Sequence, residues 1–207
     1  MLIIDTLPLG SYQTNCYIVH EASSSRCAVI DPGYSPDVIL QHLRKNGLSL
    51  DAILLTHGHF DHVGAVEALV EATGCKLWMH EGDYSQFPNP TNAYFYPLAN
   101  SDFTQVQFCE HKEQISVGGL TFTVWVTPGH TWGSVCYLCE DALFSGDTLF
   151  AGSCGRTDLP GGDITAMQNS LEYLANEAEH YRVFPGHGGA STLAQEQRYN
   201  PYLRGCL

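Results

Sequence analysis

The chain has 207 residues, 44% of them hydrophobic and 15% charged, which suits one domain, residues 1–207, with a sizeable core rather than a disordered or low-complexity chain. Acidic residues number 22 against 9 Lys and Arg, a net charge of -13. Nucleic-acid binding rests on cations that neutralise phosphates, so a polynucleotide is not an expected partner. The longest apolar runs, such as residues 52–55, are strand-length and exclude a membrane-spanning helix.

The opening MLIIDTLPLGSYQTNCYIV lacks a basic leader and a small-residue cleavage site, so a strand over 1–7 is expected rather than a signal peptide. Strands over 16–20 and 27–31 follow, the last ended by the turn Asp31-Pro32-Gly33. Ser35 as N-cap and Pro36 at the first helical position predict a helix that stops at Gly47. A buried strand over 51–56 runs into THGHFDH, and a helix over 63–73 is closed by Gly74. A strand over 76–80 precedes residues 81–104, which are rich in Pro, Asn and aromatics. They predict a long loop with one helical turn, a kind of segment that often carries function. Its rings, Tyr84, Phe87, Tyr94, Phe95, Tyr96 and Phe103, suit either a substrate pocket or core packing.

In the second half a hairpin about Gly118-Gly119 joins strands 114–117 and 120–126. Strands 134–139 and 142–145 flank a turn at Glu140-Asp141, and a glycine-rich loop over 146–162 leads to a helix over 163–178. A strand over 182–184 and a helix over 190–199 close the chain. Two halves of strands followed by helices predict an α+β fold, a four-layer αββα sandwich of two mixed sheets with helices on both outer faces.

Histidine carries the chemical signal. Of 10 histidines, five follow predicted strands in turn-rich contexts: His57, His59, His62, His130 and His187. In an extended segment residues i and i+2 point the same way, so His57 and His59 can share one metal while Asp61 and His62 face a second. Imidazole and carboxylate ligands with an open position define catalytic zinc sites. Thr127-Pro-Gly-His130, Ser145-Gly-Asp147 and Phe184-Pro-Gly-His187 each place one further ligand-type residue on a glycine turn at a strand end. His20, His42, His80, His111 and His180 have no such setting and are expected at the surface or in packing. Eight cysteines without a leader suggest free thiols and a cytoplasmic protein. The lone Cys136/Cys139 pair sits in a strand with no second pair, so structural zinc is not expected there.

HGHFDH, then PGH, SGD and PGH, in that order, resembles the metallo-β-lactamase superfamily, and more closely the short single-domain relatives of hydroxyacylglutathione hydrolases (glyoxalase II). The resemblance extends over QTNCYIV, AVIDPG, GDTLFAGSCGRTDLPGG and the final PGHG and NPYL. It implies one metal on His57, His59 and His130, a second on Asp61, His62 and His187, and Asp147 bridging them. The implied cofactor is two divalent ions, zinc for preference, with iron or manganese compatible. The implied activity is hydrolysis of a thioester such as lactoylglutathione, by attack of a hydroxide shared by the ions on the carbonyl, with Asp61 and Asp147 in catalytic positions.

Two dications carry four positive charges; Asp61 and Asp147 remove two and a hydroxide a third, so an anionic small-molecule substrate is expected. Arg156 would help bind it if its loop faces the site; a salt bridge to Asp158 or Asp163 is the structural alternative. The helical domain with which larger glyoxalases recognise glutathione is expected to be absent. A lactone or ester hydrolase needs the same nucleophile. A persulfide dioxygenase, with one iron on two histidines and an aspartate, shares the pattern GSCGRTD at 152–158, but that family tends to lose one histidine equivalent to His59 or His187.

Overall fold

The computed structural model describes residues 1–87, 94–95, 106–177 and 180–204. In chain order the first half holds β1 (Leu2–Leu9), β2 (Thr14–Glu21), β3 (Arg26–Ile30), α1 (Pro36–Lys45), β4 (Ser49–Leu54), α2 (Phe60–Val63), α3 (Val66–Thr73), β5 (Lys76–Met79), α4 (Glu81–Tyr84) and β6 (Val106–Phe108). The second half holds β7 (Gln114–Val117), β8 (Leu120–Val126), β9 (Val135–Cys139), β10 (Ala142–Gly146), β11 (Leu149–Phe150), β12 (Ser153–Cys154), α5 (Ile164–Ala175), β13 (Arg182–Pro185), β14 (Ser191–Thr192) and α6 (Leu193–Tyr199).

Two six-stranded sheets result, ordered β1-β2-β3-β4-β5-β6 and β14-β13-β10-β9-β8-β7. Both are mixed: β3 through β6 run parallel beyond the antiparallel β1-β2-β3, and β10 pairs parallel with β13 beside antiparallel neighbours. The period of two in the strand sequences decides the layering. Tyr17, Val19, Ile30 and Leu54 face Phe122, Val124, Tyr137 and Phe144 between the sheets. The alternate residues Ile18, Val29 and Ile53 face Ile39, Leu43, Val66 and Leu69 on α1 and α3. On the far side Trp125, Cys136, Leu143 and Val183 face Met167, Leu171 and Leu174 on α5. Three apolar interfaces therefore separate four layers, the expected αββα order. Cys136 and Cys139, three apart on β9, face opposite sides of the sheet, so they cannot share a metal.

Several local expectations are corrected. Ser35 takes a left-handed conformation, φ 54°, and its side chain caps nothing, although Pro36 does open α1. The helix expected over 63–73 begins only at Val66, with the short helix α2 ending just before it at Val63; at Gly64, between the two, a side chain would collide with the Gly33 carbonyl. The closing helix begins at Leu193 rather than 190, since Ser191–Thr192 pairs with β13 and Thr192 caps the helix. β6 falls just beyond the expected loop. Among the described residues no helix is long and apolar enough to cross a membrane.

Candidate metal centre

The predicted site residues all lie just past the C-terminal ends of strands. The segment after β4 carries His57 and His59, α2 carries Asp61 and His62, and the β8–β9 turn carries His130. Asp147 follows β10 and His187 follows β13. His59 keeps an extended backbone, φ -66° and ψ 147°, as the N-cap residue of α2. The His57 and His59 rings consequently face one cluster, centroids 4.8 Å apart. All seven residues meet there and all are wholly or largely buried.

Three groups have ligand-type atoms close enough to hold an ion: the two implied triads, His57/His59/His130 and Asp61/His62/His187, and a third, Asp31/His57/His62. In the first, His59 Nδ1 lies 3.0 Å from His130 Nε2. In the second, His187 Nε2 lies 3.4 Å from His62 Nε2 and 3.3 Å from Asp61 Oδ2. Asp147 spans both: Oδ2 is 3.5 Å from His130 Nε2 and 3.6 Å from His187 Nε2, and Oδ1 is 3.5 Å from His62 Nε2. Tetrahedral coordination with bonds near 2.0–2.1 Å places ligand atoms about 3.4 Å apart, so these spacings fit a divalent ion. Buried His57 Nε2 and Asp147 Oδ1 have no hydrogen-bond partner, and a cation satisfies such lone pairs.

Around the triads a set of partners decides which nitrogen carries each proton. His130 Nδ1–H donates to the Arg156 carbonyl at 2.8 Å and His187 Nδ1–H to the Tyr12 carbonyl at 3.3 Å, leaving Nε2 free on each. The organising group is Asp31, which the sequence showed only as part of a turn. Its carboxylate accepts from the Thr56 amide at 2.8 Å, the Thr56 hydroxyl at 2.6 Å and His62 Nδ1–H at 2.9 Å. With that hydroxyl committed to Asp31, the 3.0 Å contact between His57 Nδ1 and Thr56 Oγ1 is a donation from the ring. One carboxylate thus turns Nε2 of both His57 and His62 toward the centre, the usual arrangement behind metal-binding imidazoles. Asp31 adopts φ 50° to do so, a conformation that Asp tolerates better than most residues.

Asp83 on α4, wholly buried, does the corresponding work for the loops. It accepts from the Gly58 amide at 2.8 Å, the Thr131 hydroxyl at 2.7 Å and the Gly133 amide at 2.7 Å. It thereby ties the His57–His59 segment to the His130 turn. The Thr14 hydroxyl donates to Asp61 Oδ2 at 3.1 Å.

Electrostatics divide the imidazoles. Burial, aided by neighbouring histidines, holds His57 well below its ordinary range and lowers His59 to about 3, so both are neutral ligands. Burial also presses on His62, but Asp147, Asp31 and Asp61 outweigh it and raise the ring to about 9. His187 is raised by Asp61 and Asp147 against its burial. Asp61, despite burial, is held low by His187 and His62. This half of the centre calls for positive charge.

Arg156 meets the site through its carbonyl, not its guanidinium. The guanidinium donates to both oxygens of Asp158, each at 2.7 Å, which is the structural alternative posed by the sequence, while Asp163 caps α5. The aromatic loop divides: Phe87 and Phe95 are buried and Tyr84 packs against the same core, whereas Tyr94 is exposed beside His59. Tyr96 and Phe103 lie outside the described residues. The remaining histidines serve locally: His42 pairs with Asp5, His80 caps α4 and His111 accepts from the Val126 amide.

Such a fold, with buried His and Asp triads at the strand ends, defines a metal-dependent hydrolase. The family model for the metallo-beta-lactamase superfamily matches residues 9–187, and the chain belongs to that superfamily. It is 33% identical over 207 residues to hydroxyacylglutathione hydrolase GloC of Haemophilus influenzae, covering 97% of each chain. Among solved structures it resembles BLEG-1 B3 metallo-beta-lactamase, with a TM-score of 0.85 and 34% identity over 98% of this chain and 100% of the other. TTHA1623 in a di-iron-bound form is likewise similar, with a TM-score of 0.82 and 38% identity over 96% and 99%.

Proposed function

We propose that the protein is a dinuclear metal hydrolase that cleaves thioesters. The observation that carries this is the convergence of seven ligand-type side chains on one buried centre, with lone pairs that the protein leaves unmet. His57 Nε2, His59 Nδ1 and His130 Nε2 would hold one ion, and Asp61, His62 Nε2 and His187 Nε2 the other. Asp147 would touch both, which its two oxygens suit. Ions bound there would acidify water and draw electron density from a carbonyl. The chain's own part is to fix the lone pairs through Asp31, Thr56 and the Arg156 carbonyl, and to keep Asp61 ionised as an acceptor beside the nucleophile. Similarity to GloC supports a thioester, and similarity to a di-iron form supports a pair of ions. Zinc is the proposed native metal, with iron and manganese as alternatives.

The test is hydrolysis of lactoylglutathione and of a thioester without glutathione, after separate reconstitution with zinc, manganese and iron. Turnover that disappears in His59→Ala is the expected outcome. Absence of thioester turnover with every metal, together with oxygen uptake on glutathione persulfide with iron, would replace the hydrolase by a dioxygenase.

A further inference from the structure

We infer that the site takes thioesters whose arm beyond the reacting group is uncharged and aromatic; this rests on the thioesterase proposal and narrows its substrate class. The first ground is charge. Counting only Asp61, Asp147 and a hydroxide against two dications leaves one positive charge for an anionic substrate. Asp31, 2% exposed and 2.9 Å from His62 Nδ1, belongs in that count and cancels the remainder. Asp83 adds a further buried carboxyl group behind Gly58. The centre then has no surplus positive charge to offer a carboxylate.

The second ground is the absence of a free cation from the sequence of the site loops. The described residues 10–13, 31–35, 55–65, 80–87, 94–95, 127–134, 147–163 and 186–190 contain one Lys or Arg between them, Arg156. Its guanidinium is closed in a two-point pair with Asp158. A glutathione conjugate, with two carboxylates and one ammonium, would find no unpaired Lys or Arg side chain among these described loop residues.

The third ground is what borders the centre instead. Tyr12, 58% exposed, stands edge-on to Phe60 at 5.4 Å, with its carbonyl against His187. Tyr94, 40% exposed, lies 6.3 Å from the His59 ring. Trp132, 45% exposed, lies 6.2 Å from Phe95, itself 5.2 Å from His59, and Phe150 lies 6.2 Å from His187. Three of the eight large hydrophobic side chains exposed among the described residues thus border this one centre. Aromatic faces left in water beside a reactive site favour a ligand that covers them with another ring.

Binding can be read without turnover, by calorimetry of the zinc-loaded protein with three inert thioethers: S-benzyl-N-acetylcysteamine, its S-methyl analogue and S-benzylglutathione. The neutral benzyl compound should bind about tenfold more tightly than either of the others. Trp132→Ala and Tyr94→Ala should each erode its advantage over the methyl compound, and Trp132→Phe should preserve most of it. Circular dichroism and metal content establish that each variant is folded and loaded. Tighter binding of S-benzylglutathione, equal binding of benzyl and methyl compounds, or an advantage untouched in both alanine variants would overturn the inference. Failure of the thioesterase proposal would show separately, as absent hydrolysis, while calorimetry still reported the preference.

Discussion

Replacing Asp31 by Asn removes one charge and almost no volume, so it isolates the role given to that carboxylate. With the Asn oxygen on the Thr56 amide, its nitrogen takes the place of Oδ2, which accepts from the Thr56 hydroxyl at 2.6 Å and from His62 Nδ1 at 2.9 Å. An amide nitrogen donates and cannot accept. His62 must then present a bare Nδ1 and move its proton to Nε2, the atom that faces His187 and Asp147. The Thr56 hydroxyl also loses its acceptor, freeing it to donate to His57 Nδ1 and to place the proton of that ring on Nε2 too. One substitution therefore misdirects an imidazole in each triad. Loss of a partner behind one metal-binding histidine typically costs about 10–100-fold in metal affinity, and with two rings affected the upper end, roughly 100-fold, is expected. Competition of the folded variant against a chromophoric zinc chelator measures it. If D31N keeps its fold and binds zinc within about threefold of the parent, Asp31 does not set the tautomers and the argument fails.

Metal loading should strengthen as pH rises toward about 9, because His62 is held near that value by Asp147, Asp31 and Asp61 and is protonated at neutral pH until an ion displaces the proton. Proton release measured during zinc titration at pH 6, 7 and 8 checks this, and uptake without release would contradict it. Leu171→Ala, 1% exposed against Leu143 and Val183 on the outer side of the second sheet, should cost about 2–5 kcal/mol in denaturant melts while zinc affinity stays unchanged. Burial pushes the thiols of Cys27, Cys109 and Cys139 up to about 12 and that of Cys136 to about 11. Iodoacetamide at pH 8 should therefore leave all four unlabelled in native protein and label them in denaturant, as peptide mass mapping would report.

The seven ligand-type residues were legible because each sits in a local pattern: a strand, then a glycine turn bearing one His or Asp, with HGHFDH as the dense case. Asp31 has the same signature, since β3 runs into Asp31-Pro32-Gly33, but a carboxylate before Pro-Gly also marks an ordinary turn. What separates the two is the parallel pairing of β3 with β4, Ile30 beside Leu54, which brings Asp31 to Thr56 across 25 residues. Asp83 left no local trace, because its partners at Gly58, Thr131 and Gly133 come from two distant turns. The close packing of Gly64 on Gly33, between α2 and the later start of α3 at Val66, is likewise a tertiary contact, and β6 at three residues is too short to show a period. These omissions share a direction. Metal ligands recur in motifs, whereas the carboxylates that orient them are placed by strand pairing and helix docking. A charge balance drawn from motif residues alone therefore leaves out Asp31, whose carboxylate lies 2.9 Å from His62 Nδ1.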